Sequence, residues 1–383
     1  MLLFRRLTYL PDRRASSDGQ PDKESSPDGN RYVSTPESPR MTSVKHFRIE
    51  HEPTPEELGQ GAFVFTDEYS VFDWGRMPDT IPRKGASLCT MGAYNFELFD
   101  TNHVPTHYRG VRAEGEEGTR DLGDLDSPPQ EMAISLTQVP NLPSEDGAYD
   151  YDAYHGQAGA NFLIPLEIVF RNSIPPGSSL RRRADPSEYG LDLDGDTWPE
   201  ESTELPEPAI EFSTKFEAQD RYLSREEAAE IAGRADIGRL EELALAVNHL
   251  LSRQAAQGGF VHEDGKIECY YYEGTITVAD VCGTFDENRF AYDGQEVSKE
   301  VLRGYYKRSF PEWVEAVSGA KRTAREQGIA DWRELCERDP PPLADEVIET
   351  ASDLYTAGAN AYLGSEVFDA PGIDDAVAAV REL

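Results

Sequence analysis

The stretch Glu263-Asp264-Gly265-Lys266-Ile267-Glu268-Cys269-Tyr270-Tyr271-Tyr272-Glu273-Gly274-Thr275-Ile276-Thr277-Val278 sets the architecture. Glu263-Asp-Gly reads as a turn leading into an alternating run, Lys266 to Tyr272, rich in aromatic residues. Glu273-Gly274 reads as a hairpin turn and Thr275 to Val278 as the returning strand. Asp280 follows, then Asp286-Glu-Asn-Arg289. Paired antiparallel strands would carry Lys266, Glu268 and Asp280 near one edge. A cation beside two carboxylates suits Mg²⁺ and a nucleotide phosphate. Mg²⁺ is usually held by one or two carboxylates plus phosphate oxygens, and Lys adds a point charge. A solvated hairpin face also carries charge, so agreement from other segments decides between the two readings.

Working outward, short strand-like runs follow Met41: Lys45 to Glu50, then Ala62 to Thr66. Ile81-Pro-Arg-Lys84-Gly85 is a turn, and Ala86 to Phe99 has helical spacing (Leu88, Met91, Tyr94, Phe96, Leu98). Residues 113–129 and 140–160 read as loops, with a strand over Met132 to Val139 between them. Leu163 to Phe170 is a buried strand ending at Arg171-Asn172, where the loop Ser173-Ile-Pro-Pro-Gly177-Ser178-Ser179 takes over. Residues 184–204 form an acidic insertion. Leu205-Pro-Glu-Pro208 is a rigid connector, and Glu211 to Lys215 a short strand. Ser224 and Glu227 make a capping box. Ile231, Leu240, Leu243, Ala244, Val247, Leu250 and Leu251 then form an apolar stripe, which Gly233 divides and Gly258-Gly259 ends. Helices are expected over Lys299 to Tyr306, Pro311 to Gln327, Leu343 to Tyr355 and Ile373 to Leu383. The fold class is α+β: a strand-rich lobe over 41–160, a second α+β lobe over 161–310 and a helical region over 311–383.

The 383 residues include 72 acidic and 37 basic side chains, a formal net charge of −35. That excess is spread along the chain. It excludes a nucleic-acid partner, whose phosphates need a basic face, and an anionic membrane surface. It is the surface of a halophile's cytoplasmic protein, where concentrated salt screens charge within a few ångströms. Cys89, Cys269, Cys282 and Cys336 have neither Cys-x-x-Cys nor disulfide-framework spacing, so reduced thiols are expected. The seven histidines are scattered and none is assigned to a metal. Residues 1–40 carry seven basic and six acidic residues and almost no apolar pattern. They are expected to be a disordered extension, with Met41 the true start.

In so acidic a chain, local cations stand out. Arg171 lies at a strand end, Arg181 to Arg183 follow a Gly-Ser-Ser loop, Lys215 ends another strand, and Arg289 lies just past Asp280. Together they describe a pocket for several anionic groups, with Glu268 and Asp280 to hold a metal. Such a pocket fits an ATP-using enzyme acting on a phosphorylated or carboxylated small molecule, because phosphoryl transfer needs positioning and charge stabilisation more than a strong base. There is no Gly-x-x-x-x-Gly-Lys-Ser/Thr loop.

In ordered segments over residues 43–310 the chain resembles the SAICAR synthetase family. Phe65-Thr-Asp67-Glu-Tyr-Ser70-Val-Phe-Asp73 resembles its Thr-Asp-Arg-x-Ser-Ala-Phe/Tyr-Asp, Ile81-Pro-Arg-Lys84-Gly85 its Ile-Pro-x-Lys-Gly, and Asn102-His103 its Asn-His. Pro165-Leu-Glu167-Ile-Val-Phe-Arg171-Asn172 to Gly177-Ser178 resembles one signature, and Asp264-x-Lys266-x-Glu268 a second. Leu205-Pro-Glu-Pro208 and Thr214-Lys215-Phe-Glu217 match further segments. Asp280, Thr284, Asp286 and Arg289 resemble its Asp-Glu-x-x-Thr-Pro-Asp-x-x-Arg. The resemblance implies a two-lobed fold whose first lobe binds ATP and whose second carries the metal and substrate site. It implies a cytoplasmic ligase of purine biosynthesis that joins L-aspartate to carboxyaminoimidazole ribonucleotide (CAIR) through an acyl phosphate. It places Glu268 and Asp280 on Mg²⁺, with Lys45, Lys215 and Lys266 near the ATP phosphates. Lys266, Asp280 and Arg289 become the catalytic set. Lys84, Arg171, Ser178 or Ser179, and Arg289 become substrate ligands. A homo-oligomer is left open. Ser43 replaces a frequent lysine and Val281 a glutamate, and Cys269-Tyr270 replaces Phe-Gly. Two alternatives stand beside the ligase: a small-molecule kinase on a similar fold and, motivated by Ser43 and Val281, a catalytically degenerate nucleotide-binding protein.

Overall fold

The computed structural model describes residues 45–116, 118–145, 147–191, 197–217, 220–329 and 331–383. The expected extension over 1–40, Met41 and Ser43 lie outside the described residues.

Strands β1 (Lys45–His51), β2 (Gly59–Phe65), β3 (Tyr108–Arg112) and β4 (Glu131–Leu136) pair antiparallel in the order β1-β2-β4-β3. Helix α1 (Lys84–Thr101) lies between β2 and β3 in the chain and buries Leu88, Met91, Phe96 and Phe99. Its start is capped from a distance. The Asp67 carboxylate accepts the Gly85 N–H at 2.9 Å and the Arg83 N–H at 3.2 Å, satisfying donors that a helix terminus leaves free. Gly85 has no alternative, because a Cβ there would run into the Thr66 backbone.

The stretch 140–160, expected to be loop, holds a small hairpin, β5 (Ser144–Glu145) and β6 (Ala148–Tyr149), and a helix, α2 (Tyr151–Gly156). Asp150 caps this helix by accepting the Ala153 N–H at 2.8 Å. Tyr154 anchors it in the core, its hydroxyl donating to the Leu163 carbonyl at 2.7 Å.

The second sheet is built from β7 (Asn161–Ile174), β8 (Thr203–Thr214), β9 (Tyr222–Leu223), β10 (Phe260–Tyr272), β11 (Thr275–Ala279), β12 (Arg289–Tyr292) and β13 (Gln295–Glu296). Its order is β13-β12-β10-β7-β8-β9, with β11 paired to β10. Three local readings are corrected here. The chain does not turn at Glu263-Asp-Gly: β10 continues through it, with a register shift against β12 between His262 and Asp264. Gly265 is a packing requirement instead, since a Cβ would overlap the Asn288 amide and the Phe170 ring. Arg171 does not end its strand. β7 continues to Ile174, with Ser173 opposite Glu204 on β8. Leu205-Pro-Glu-Pro208 is part of β8. Its prolines lie between the Glu204 and Ala209 pairings, where the β7–β8 register is irregular, and outside the short pairing with β9. That is where a strand tolerates residues without an N–H. The Glu273-Gly274 hairpin is as read, with φ of 47° and 89°, both positive as a tight two-residue turn requires.

Helices α3 (Arg225–Ala232) and α4 (Ile237–Gln257) are separated at Gly233. Ser224 accepts the Glu227 N–H at 3.2 Å while the Glu227 carboxylate accepts the Ser224 N–H at 2.9 Å. The α4 stripe Leu240, Ala244, Val247 and Leu251 packs under β7 and β10, where Ile168, Phe170 and Ile267 are buried. Helices α5 (Glu300–Ser309), α6 (Pro311–Gln327), α7 (Asp345–Leu363) and α8 (Ile373–Glu382) complete the chain. Helix α7 packs on α1 and α8. The fold is therefore α+β, with antiparallel sheets and a helical C-terminal region. The four cysteines are free thiols.

Candidate active site

Alternation along β10 separates two functions. Ile267 and Cys269 enter the core, while Asp264, Lys266 and Glu268 share the other face. Register then adds neighbours. On β7, Arg171 lies opposite Asp264 and Glu167 opposite Glu268. On β8, Glu211 lies opposite Val169 and Ser213 opposite Glu167. Arg289 of β12 pairs with Asp264. Ala279 of β11 pairs with Glu268, which brings Asp280 to the same end. At about 3.3 Å per residue, Asp264 and Glu268 are roughly 13 Å apart along the strand. Each heads its own charge cluster.

Around Glu268, Lys215 forms an ion pair with its carboxylate and Lys266 with Glu167. The Lys45 Nζ is 2.6 Å from the Asp280 Oδ1 and 3.6 Å from the Glu287 Oε1. Burial opposes charge on Lys45, but Asp280 and Glu287 outweigh it and hold the ammonium above its ordinary range. Burial pushes the Glu268 carboxyl up; the pull of Lys215 is partly offset by nearby Asp280. Burial works against Asp280 as well, yet Lys45 and Lys215 keep its carboxyl below the usual carboxylate range. Asp280 also has φ of 59°, a left-handed conformation uncommon outside glycine and favoured by Asn and Asp. Its own Oδ1 accepts the Val281 N–H at 2.8 Å. A strained carboxylate in such a place is a recurrent feature of functional sites.

The donor set fits a hard cation. Glu268 and Asp280 offer carboxylate oxygens that feel each other's charge, with Glu287 adjacent through Lys45. Among the described residues no three His, Cys, Asp or Glu side chains gather at metal-holding distance. A metal here would need oxygens from elsewhere to complete its shell, as Mg²⁺ does with nucleotide phosphates.

Around Asp264 the cations are arginines. Arg171 is 3% exposed. Its Nη1 donates to the Asp264 Oδ2 at 2.9 Å and to the Ser178 Oγ at 3.5 Å, its Nη2 to the Tyr222 hydroxyl at 3.3 Å, and its Nε to Glu211. The Arg289 Nε donates to the Asp264 Oδ1 at 2.8 Å and a second nitrogen binds Oδ2. Burial works against both guanidiniums; Glu211 and Asp264 raise Arg171 in spite of it, and Asp264 raises Arg289. Ser178 is buried and accepts the Leu180 N–H at 3.3 Å, fixing a short 3₁₀ turn over Ser179–Arg182. Ser179 lies 3.4 Å from the Tyr222 hydroxyl. Arg183 reaches Glu211 at 2.9 Å and stacks 3.4 Å from the Tyr222 ring centre.

Lys45, Lys215, Lys266, Glu268 and Asp280 thus come together at one end, and Arg171, Ser178, Ser179 and Arg289 at the other. Lys84 joins neither. It is 1% exposed, its Nζ 2.6 Å from the Asp286 Oδ2 and 3.2 Å from the Glu68 carbonyl. The Tyr355 hydroxyl donates to the other Asp286 oxygen at 2.6 Å. Burial raises the Asp286 carboxyl but Lys84 overrides it, so the group sits below its ordinary range. Sequence reasoning left Glu167, Glu211, Tyr222, Asp264 and Glu287 out of the site. Asp264 was available from the alternation alone. Glu167 and Glu211 needed the register, and Tyr222 and Glu287 needed the tertiary fold.

The sequence model of the SAICAR synthetase family matches residues 53–320. A relative from Archaeoglobus fulgidus, named provisionally as a phosphoribosylaminoimidazole-succinocarboxamide synthase, is 41% identical over 351 residues, covering 90% of this chain and 99% of the relative. A phosphoribosylaminoimidazole-succinocarboxamide synthase from Thermoplasma volcanium is 30% identical over 76% of this chain and 89% of its own length. The structure of a SAICAR synthase from Saccharomyces cerevisiae in complex with SAICAR aligns over 86% of this chain and 99% of its own, with a TM-score of 0.53 and 19% identity, a likeness of fold.

Proposed function

The chain belongs to the SAICAR synthetase family, and from that premise we propose that it joins L-aspartate to CAIR at the expense of ATP, forming SAICAR in purine biosynthesis. The observation that carries the site assignment is the alternation of Asp264, Lys266 and Glu268 on one strand face, with a lysine-carboxylate cluster at one end and an arginine cluster at the other.

In this reading Lys45, Lys215 and Lys266 hold the ATP phosphates, and Glu268 and Asp280 hold Mg²⁺. The metal supplies neutralisation of phosphate charge. Arg171, Ser178, Ser179 and Arg289 hold the anionic groups of the ribonucleotide, so the Asp264 carboxylate yields its guanidinium partners when substrate enters. The CAIR carboxylate then lies between the clusters, near Lys266. One of its oxygens attacks the γ-phosphorus, the bond to the β-phosphate oxygen breaks, and ADP leaves. The aspartate amine attacks the resulting acyl carbon and loses a proton. The carbon–oxygen bond breaks with its electrons on phosphate, leaving an amide. Lys266 and the flanking lysines stabilise charge that moves between oxygens during transfer. Lys84 is a framework cation in this assignment. Residues 41–160 are assigned to ATP through Lys45, 161–310 to metal and substrate and, through Lys215 and Lys266, to the ATP phosphates as well, and 311–383 to support.

Coupled ADP release with CAIR and L-aspartate, each omitted in turn, tests the reading. ADP release that needs both supports the ligase. Release without L-aspartate favours a kinase, and binding of ATP with no turnover in molar KCl and Mg²⁺ favours the degenerate protein.

We assign the protein to a salt-rich cytoplasm on its net charge of −35. Lowering KCl from molar to about 0.1 M lengthens the screening distance from about 3 Å to about 10 Å. Activity and the unfolding midpoint are expected to fall together over that range. Full activity at about 0.1 M would contradict the assignment.

A further inference from the structure

Besides β7 and β10, which carry residues of both charge clusters, one short stretch of chain joins them. Asp280 belongs to the lysine end and Arg289 to the arginine end. Of the residues between them, Val281, Cys282, Thr284, Phe285, Asp286 and Asn288 are each at most 5% exposed. The stretch is folded back on itself by Asn288. Its Oδ1 accepts the Gly283 N–H at 2.7 Å, and its Nδ2 donates to the His262 Nε2 at 2.8 Å. With Nε2 accepting, the proton of His262 is on Nδ1, which faces the Ser252 Oγ of α4 at 2.9 Å. Burial favours this neutral ring, pushing His262 down to about 4. On its other side Gly283 is held through its carbonyl, which accepts from the Asn95 Nδ2 of α1 at 2.9 Å. Gly265 leaves the space that the Asn288 amide fills.

We propose that Asn288, held by His262, is a positioning residue that sets where Asp280 and Arg289, at the two ends of the cleft, stand against the frame of β7 and β10. The proposal rests on the ligase reading above. The place calls for one acceptor and one donor on a short side chain, which asparagine has. Aspartate would present an acceptor to His262 Nε2, serine has one polar atom, and alanine none. The strand-borne members of each cluster keep their own ion pairs, so each half-site survives loss of Asn288; the placement of Asp280 and Arg289 against them does not. A misplacement of about 1 Å costs on the order of 10²-fold in rate.

The test compares Asn288→Ala, His262→Leu and His262→Gln with the wild type in KCl and Mg²⁺. Asn288→Ala is expected to lower kcat about 10²-fold, with the affinity for ATP alone changed less than about threefold and the protein fully folded at the assay temperature. His262→Gln restores an acceptor for the Asn288 amide and is expected to exceed His262→Leu at least about tenfold in kcat. Loss of activity in proportion to the unfolded fraction, ATP affinity falling as far as kcat, or equal rates for the two His262 variants would each overturn the proposal. Amide exchange decides it independently of turnover. In Asn288→Ala, Gly283 and its neighbours are expected to lose protection while β7 and β10 keep theirs. Unchanged protection at Gly283 would sink the idea even if the wild type proved not to be a ligase.

Discussion

Asp280→Asn is expected to leave the protein folded and lower kcat about 10²- to 10³-fold, the range found when one preorganised charge-stabilising contact is removed. Asparagine is the right probe because it accepts a left-handed backbone, and Asp280 has φ of 59°. It also retains the Oδ1 that accepts the Val281 N–H. What it removes is the negative charge that pairs with Lys45 and faces Glu268. Without it Lys45 keeps the neutral Oδ1 as an acceptor and Glu287, 3.6 Å away, as its nearest carboxylate among the described residues. Under the proposed Mg²⁺ assignment, metal affinity is expected to fall with the loss of one of two carboxylates. ADP release at saturating Mg²⁺ and ATP is the measurement, with circular dichroism to establish the fold. Turnover within about threefold of wild type would remove Asp280 from the phosphate end. Lys266→Ala is expected to give a loss of the same order.

Lys84→Met is expected to destabilise the protein by about 3–5 kcal/mol, because removing one partner of a buried ion pair strands the other. Asp286 is 4% exposed, and among the described residues the Tyr355 hydroxyl would be its remaining side-chain hydrogen-bond partner, with the Lys299 charge acting from further off. The same variant carries a pH signature. The Asp286 carboxyl sits below its ordinary value in the folded protein. Its contribution is therefore present above the unfolded carboxylate pKa of about 3.9 and fades as pH falls through the folded value. In Lys84→Met a protonated Asp286 no longer leaves a buried charge, so the gap from wild type should narrow on acidification. Urea midpoints at neutral and acid pH measure both effects. A gap under about 1 kcal/mol at neutral pH, within the range of exposed pairs, would show that Lys84 is not a structural partner.

Periodicity was a good guide where one face of an element meets the core. The α4 stripe and the Ser224–Glu227 cap were legible because both signals are local. So was the Glu273-Gly274 hairpin. The turn expected at Glu263-Asp-Gly was misleading because glycine has two uses: it bends chains, and it makes room. Gly265 makes room, and the Asn288 amide that requires it is 23 residues away in sequence. The prolines of Leu205-Pro-Glu-Pro208 misled for a similar reason: whether a strand tolerates proline depends on which neighbour faces it. At the site, the cations stood out against an acidic background, and alternation put Lys266 and Glu268 on one face. Their counter-charges Glu167 and Glu211 did not stand out. In a chain with 72 acidic residues, one more glutamate carries no signal until the register places it.

At rest the cleft is already neutralised from within. Lys215 is matched by Glu268, Lys266 by Glu167, Lys45 by Asp280, Arg171 by Glu211 and Arg289 by Asp264. In a solution crowded with chloride, unmatched guanidinium and ammonium groups would collect mobile halide, and every substrate would have to displace it. Under the proposed reading, tethered carboxylates would keep halide out, and the lysines and arginines would exchange them for an incoming ligand that offers several negative oxygens at once. In the salt-rich cytoplasm proposed above, discrimination would then fall to multivalence: a monovalent halide gains too little to break any of these internal pairs.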